Sequence, residues 1–215
     1  MSIGNSSSSV AGIILAAGQS SRMGALKALL PFGEQTVIES CINYLREGGA
    51  DPIVVVVGYR GDDIRKHLNH TSVRFAVNPD PASAMSTSIA FGVRELPEGS
   101  RATLITPVDF PAVPSAVVTA VIAEWTKGSR LVKPTCAGRG GHPILVDLSL
   151  RKELLNLDQT VGLKGLFEKY RAEISRVEVN SPYIAQDIDT WDDYCSLHFE
   201  VFGQKPPERA KLLPT

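Results

Sequence analysis

A chain of 215 residues, 43% hydrophobic and 21% charged, can bury a large core as one domain, or as one with a small appendage. A net charge of −1, with no basic run and no aromatic-basic interleaving, gives no general pull toward nucleic acid. The longest apolar segments are strand-sized, well short of a membrane span. Three cysteines without a C-x-x-C indicate reduced, buried thiols and a cytoplasmic setting.

Residues 1–9 are polar and serine-rich, with no basic or apolar leader region, and are expected to be a flexible tail. Residues 10–202 are expected to form a single domain. Residues 203–215 carry Pro206-Pro207, lose the apolar period and read as a second tail.

Within the domain, Val10 to Leu15 reads as a short buried strand. Apolar residues at helical spacing predict a helix over 36–47, stopped by Gly48-Gly49. Ile53 to Val57 is a β-branched run of the kind buried on both faces of a parallel sheet. A short helix over 62–68, a strand over 73–77, a helix over 85–95, a strand over 102–106 and a helix over 114–126 follow. Strands over 131–135 and 143–147 flank a glycine-rich loop, Gly138 to Gly141. Helices over 148–155 and 163–170, a strand over 174–179 and a helix over 190–202 complete the chain. Repeated strand–helix alternation predicts an α/β sheet with right-handed crossovers. Gly58, Asn78 and Asp109 each follow a strand directly, so they should share one sheet edge with the loop after residue 15.

That first loop carries the strongest signal. The strand empties into Ala16-Ala17-Gly18-Gln19-Ser20-Ser21, small residues that let backbone approach a ligand, with Arg22 and Lys27 beyond. Exposed N–H groups followed by two cations suit a polyphosphate. Five residues separate Gly18 from Gly24 and Ala25-Leu26 follow, which rules out the Walker pattern; G-x-G-x-x-G is absent as well.

Two acidic positions are candidates for a metal. Asp109 lies just past an apolar strand between Pro107 and Pro111, and its alternative role is to cap the helix that follows. Asp189, in Asp187-Ile188-Asp189-Thr190, reads on spacing alone most simply as a helix cap. His142, between Gly141 and Pro143, is otherwise a surface loop residue.

Leu15-Ala16-Ala17-Gly18-x-Ser20-x-Arg22-Met23-Gly24-x-x-Lys27, followed by Leu29-Leu30-Pro31, resembles the signature of the MobA-like nucleotidyltransferases, within them the molybdenum cofactor cytidylyltransferase branch. Asp109 before a proline-bearing loop, the D-I-D-T segment at 187–190, Asn78-Pro79 with Met85 and Ser88, and Arg139-x-Gly141-His142-Pro143 extend the resemblance over roughly residues 11 to 195. It implies a three-layer, Rossmann-like nucleotide-diphospho-sugar transferase fold with a mostly parallel central sheet. It implies Mg²⁺-dependent transfer of CMP from CTP to the terminal phosphate of molybdopterin, with release of pyrophosphate, and a molybdoenzyme that would receive the product.

The resemblance also assigns roles. Leu15, Ala16, Ala17, Gly18, Ser20, Arg22, Lys27, Asn78 and Ser88 would bind nucleotide, and Gly58, from its place on the same sheet edge, is expected to join them. Arg22, Lys27 and Asp109 would be catalytic, Asp109 and Asp189 would hold the metal, and His142 would face the acceptor. Ala17, where the guanylyl branch tends to carry glycine, adds a methyl beside the base worth about 1 kcal/mol, a bias toward the smaller pyrimidine. The chain departs from the family at Ala84, which replaces a glycine, and at Thr160 and Lys164, which replace an acidic residue and an arginine. The first would be costly if that position needs positive φ, and would favour a non-catalytic accessory protein. The second leaves room for a sugar or polyol phosphate acceptor.

Overall fold

The computed structural model describes residues 9–19, 23–80 and 82–207. In chain order its strands are β1 (Val10–Ala16), β2 (Pro31–Phe32), β3 (Gln35–Thr36), β4 (Ile53–Val57), β5 (Arg74–Val77), β6 (Ala102–Pro107), β7 (Leu131–Cys136), β8 (Arg139–Gly140), β9 (Ile144–Asp147) and β10 (Ile174–Glu178). Its α-helices are α1 (Val37–Glu47), α2 (Gly61–His67), α3 (Met85–Arg94), α4 (Ser115–Trp125), α5 (Arg151–Leu155), α6 (Leu163–Lys169) and α7 (Trp191–Phe202).

The main sheet runs β10-β7-β9-β6-β1-β4-β5, with β8 paired to the end of β7. β1 lies at its centre, parallel to both β4 and β6, and every one of its residues is buried. Its side chains alternate between two apolar layers. Val10, Ile14 and Ala16 join α1, α4 and α7, while Ala11, Ile13 and Leu15 join α3, α5 and α6. Period-2 alternation in a strand buried on both faces thus produces the helix–sheet–helix sandwich. The expected three-layer, mostly parallel architecture is the one found.

The sheet also departs from simple alternation. β9 inserts between β6 and β7 and runs antiparallel to both. Two short hairpins were not anticipated. β2 and β3 pair around Gly33-Glu34, and Arg139-Gly140 pairs back onto Thr135-Cys136. The expected glycine-rich loop is therefore a β-hairpin, with Ala137 (φ 48°) and Gly138 (φ 78°) as its two left-handed turn residues. Strands of two residues carry no readable period, which is why the sequence pattern passes over them.

Of the cysteines, only Cys41 is buried; Cys136 and Cys195 are half-buried, contrary to expectation. No described helix is long and apolar enough to cross a membrane. The expected tails fall largely outside the described residues, although Gln204 O accepts a hydrogen bond from His198 Nδ1 at 2.8 Å.

Candidate active site

Parallel strands β1, β4, β5 and β6 deliver their following loops to one edge of the sheet, and there the loops touch. A Cβ on Gly58 would lie 2.9 Å from Ala17 O and 3.1 Å from Asn78 O, so glycine is what lets three loops converge. Gly58 is thus a spacer between loops and does not line the cavity they enclose.

Leu15, Ala16, Ala17, Gly18, Lys27, Asn78, Ser88 and Asp109 line a cavity of about 250 Å³. Ser20 and Arg22 lie outside the described residues. Asn78 is buried and spends its amide within its own loop. Its Nδ2 donates to the Ser83 and Ser88 hydroxyls at 2.8 and 2.9 Å, and its Oδ1 accepts from Asp80 N at 3.1 Å. Asn78 and Ser88 therefore shape the wall as a hydrogen-bonded brace. Ala84 has φ −63° and ψ 155°, an ordinary extended conformation just before α3, so the missing glycine costs nothing.

The acidic residues gather at one point. One carboxylate oxygen from each of Asp109, Asp187 and Asp189 lies within 4.8 Å of the others. Ile188 is fully buried in the core and donates its N–H to Asp109 O at 3.0 Å, locking the two loops together. In an extended segment, burying Ile188 turns both flanking aspartates to the opposite side. That alternation is the signal for Asp187, which the sequence reading passed over as a ligand.

Neither aspartate is a helix cap. Thr190 caps α7 in a reciprocal box with Asp193, accepting from Asp193 N at 3.2 Å while Asp193 Oδ2 accepts from Thr190 N at 2.7 Å. α4 begins at Pro114 with no side-chain cap.

Lys27, on a short 3₁₀ turn and only 9% exposed, joins the same cluster. Its Nζ lies 2.8 Å from Asp189 Oδ1 and 3.9 Å from Asp109 Oδ2. Burial, with Asp187 and Asp189 beside it, pushes the Asp109 carboxyl up to about 6 against the opposing pull of Lys27. Asp109 Oδ1 is buried with no hydrogen-bond partner among the described residues. An orphaned carboxylate oxygen in an all-oxygen donor set fits a hard divalent cation.

Helix α1 holds the Asp109 loop from beneath. Ser40 Oγ donates to Pro111 O at 2.7 Å, Cys41 Sγ lies 3.5 Å from Val108 O, and the Tyr44 hydroxyl meets Thr106 Oγ1 at 3.1 Å. Nothing in the sequence pattern marks these three as supports of a site.

Beyond the aspartates opens a second cavity of about 1360 Å³, and Met85 lines both. His142, Asp187, Lys133, Arg139, Thr160 and Lys164 are in its wall. His142 packs its ring 4.7 Å from that of Phe110 and donates its backbone N–H to Ile184 O at 2.7 Å. Burial drives the imidazole down to about 4, so it is neutral near pH 7. A Cβ on Gly141 would fall 1.9 Å from Ile184 O, so glycine is required for the His142 loop to lie against the segment leading to Asp187. Of the residues expected to bind nucleotide, metal and acceptor, those described, Gly58 and Asp189 apart, line one or other of two cavities that share Met85.

The chain is similar to known proteins over most of its length. The profile described as "MobA-like NTP transferase domain" matches residues 12–174. The chain is 28% identical to the molybdenum cofactor cytidylyltransferase of Escherichia coli K12, over 85% of this chain and 92% of that protein. It is 26% identical to the nicotine blue oxidoreductase of Paenarthrobacter nicotinovorans, over 84% and 92%. A Mycobacterium tuberculosis H37Rv protein solved in complex with manganese superposes with a TM-score of 0.76 at 24% identity, covering 89% of this chain and 99% of that one.

Proposed function

Since the chain belongs to the MobA-like NTP transferase family and is a nucleotidyltransferase, we propose that it transfers CMP from CTP to the terminal phosphate of molybdopterin, releasing pyrophosphate. The observation that carries this reading is the meeting of Lys27, Asp109, Asp187 and Asp189 where the small and large cavities adjoin. A donor and an acceptor phosphate held in those two cavities would face each other at that junction.

An oxygen of the acceptor phosphate forms the new bond to the α-phosphorus, and the bond from that phosphorus to the β-bridging oxygen breaks. The acceptor oxygen is already ionised, so no general base is required. Lys27 supplies positive charge beside the transferring phosphoryl group and the leaving pyrophosphate, and Arg22 is proposed to share that task. The small-residue loop at 16–18 positions the triphosphate with backbone N–H groups. Asp109 and Asp189, joined by Asp187, would hold Mg²⁺. When bound, the ion would neutralise phosphate charge and orient the triphosphate.

The confined 250 Å³ cavity and the Ala17 methyl in its wall support the smaller pyrimidine base. A cytoplasmic setting and delivery to a molybdoenzyme go with this reading. A second reading keeps the chemistry and changes the acceptor to a sugar or polyol phosphate. Thr160 and Lys164 in the large cavity wall favour it. The accessory-protein reading rested on Ala84 and loses its basis with that residue's relaxed backbone.

Calorimetric titration with CTP, GTP, ATP and UTP, each with and without Mg²⁺, tests the nucleotide half. Magnesium-dependent binding that prefers CTP is the expected result, and no binding of any nucleotide would sink the transferase reading. Pyrophosphate release with molybdopterin, set against sugar and polyol phosphates, separates the two acceptors.

A further inference from the structure

Three carboxylates within 4.8 Å repel one another, and a cation among them offsets that repulsion. In this fold Lys27 is placed to do so, with Nζ at 2.8 Å from Asp189 and 3.9 Å from Asp109. We propose that Lys27 is the resting counter-ion of the aspartate cluster, which a divalent ion must displace, so that metal and nucleoside triphosphate bind cooperatively. The inference rests on the transferase reading above only for its second ligand.

A divalent ion among Asp109, Asp187 and Asp189 takes oxygens that the ammonium now holds, and it comes within a few ångströms of that ammonium. Without nucleotide, Lys27 must give up its carboxylates while an ion of twice its charge arrives beside it. Lys27 shares the walls of the 250 Å³ cavity with Ala17 and Gly18, so a triphosphate held there comes within reach of its four-carbon stem. Phosphate oxygens then receive the ammonium, and the carboxylates pass to the metal. Each ligand removes a cost that the other would have met alone, and the coupling is reciprocal.

Binding of Mn²⁺ can be followed by the electron paramagnetic resonance signal of the free ion, with and without a saturating α,β-methylene analogue of CTP, after subtracting the Mn²⁺ that the analogue binds in the absence of protein. In the wild type the analogue should tighten Mn²⁺ binding by about 5- to 150-fold. Lys27→Met keeps the volume of the stem and removes the charge. It should tighten Mn²⁺ binding in the absence of nucleotide by at least about fivefold, although it deletes a cation that contacts phosphate. Lys27→Arg keeps the charge and should remain near the wild type. Wild-type Mn²⁺ affinity indifferent to an analogue that the protein does bind overturns the proposal, as does a Lys27→Met protein that binds Mn²⁺ alone no more tightly than the wild type. The wild-type arm needs no variant to fold. Tighter Mn²⁺ binding by Lys27→Met in a chain that binds no nucleoside triphosphate would keep the displacement and overturn the transferase reading instead.

Discussion

The two halves of the cleft are assembled from the chain in opposite ways. The smaller cavity, proposed to hold the nucleotide, is made by loops that leave the ends of parallel strands β1, β5 and β6, with the loop after β4 inserted between two of them, and it encloses about 250 Å³. The larger cavity, proposed to hold the acceptor, draws on the β7–β8 hairpin, on Ile144 of antiparallel β9, on the segment 159–164 and on 184–187, and opens to about 1360 Å³. A triphosphate presents the same groups whatever base it carries, so a few contiguous backbone N–H groups and a fixed cation suffice. An acceptor is recognised by its shape, and shape comes from segments distant in sequence. The first half should therefore be fragile to single changes, the second more tolerant.

The sharpest contrast is expected from Lys27. Replacing it with alanine should lower nucleotidyl transfer by about 10²–10³-fold, while circular dichroism still reports a cooperatively folded protein. The matching change on the acceptor side, Lys164→Ala, should raise the acceptor KM and leave nucleotide binding alone. Equal losses from the two would dissolve the distinction between the halves. Next in size is Asp187→Asn, expected to weaken divalent-metal affinity at least about tenfold in the presence of nucleotide, read by Mn²⁺ titration. An unchanged affinity would reduce the metal set to Asp109 and Asp189.

The same contrast governs what could be read from the sequence. The β-branched run at 53–57, the strand at 10–16 and the small-residue loop are local patterns, and each marked its element and its edge of the sheet. Asp109 and Asp189 were legible as separate candidates, but their contact with Lys27 spans 82 and 162 positions, and no local pattern encodes it. Asp187 was visible in the motif yet unassigned, because only the burial of Ile188 shows that the flanking aspartates share a side. Ser40, Cys41 and Tyr44 look like ordinary residues of an amphipathic helix, and their grip on the Asp109 loop exists only once α1 is packed.

Acid should move the two halves in opposite directions, measured as unfolding free energy in EDTA. Asp109 has a folded-state value of about 6, above its ordinary 3.8, so the folded protein holds more protons between those limits. Its burial penalty is present above pH 6 and is relieved as pH falls toward 3.8. His142 lies at about 4, below its ordinary 6.5, so the folded protein holds fewer protons in that window. Its contribution is intact above pH 6.5 and is lost as pH falls toward 4. Asp109→Asn should steepen the loss of stability on acidification, and His142→Asn should flatten it. Identical slopes in both variants would mean that neither group carries the pH dependence.

The smallest effect expected is at Thr190, and it separates two readings of a single segment. Asp189 is one residue before the cap of α7 and also faces Lys27, so the D-I-D-T run carries the helix cap and the proposed metal ligands at once. Thr190→Ala removes the acceptor for Asp193 N and leaves the aspartates in place. Loss of such a cap costs about 1 kcal/mol, which chemical denaturation resolves. Metal affinity should stay within about twofold of the wild type, because Ile188 anchors the segment through its buried side chain and its bond to Asp109 O. A tenfold fall in metal affinity would show instead that the helix cap, and not the buried isoleucine, sets the position of the aspartates.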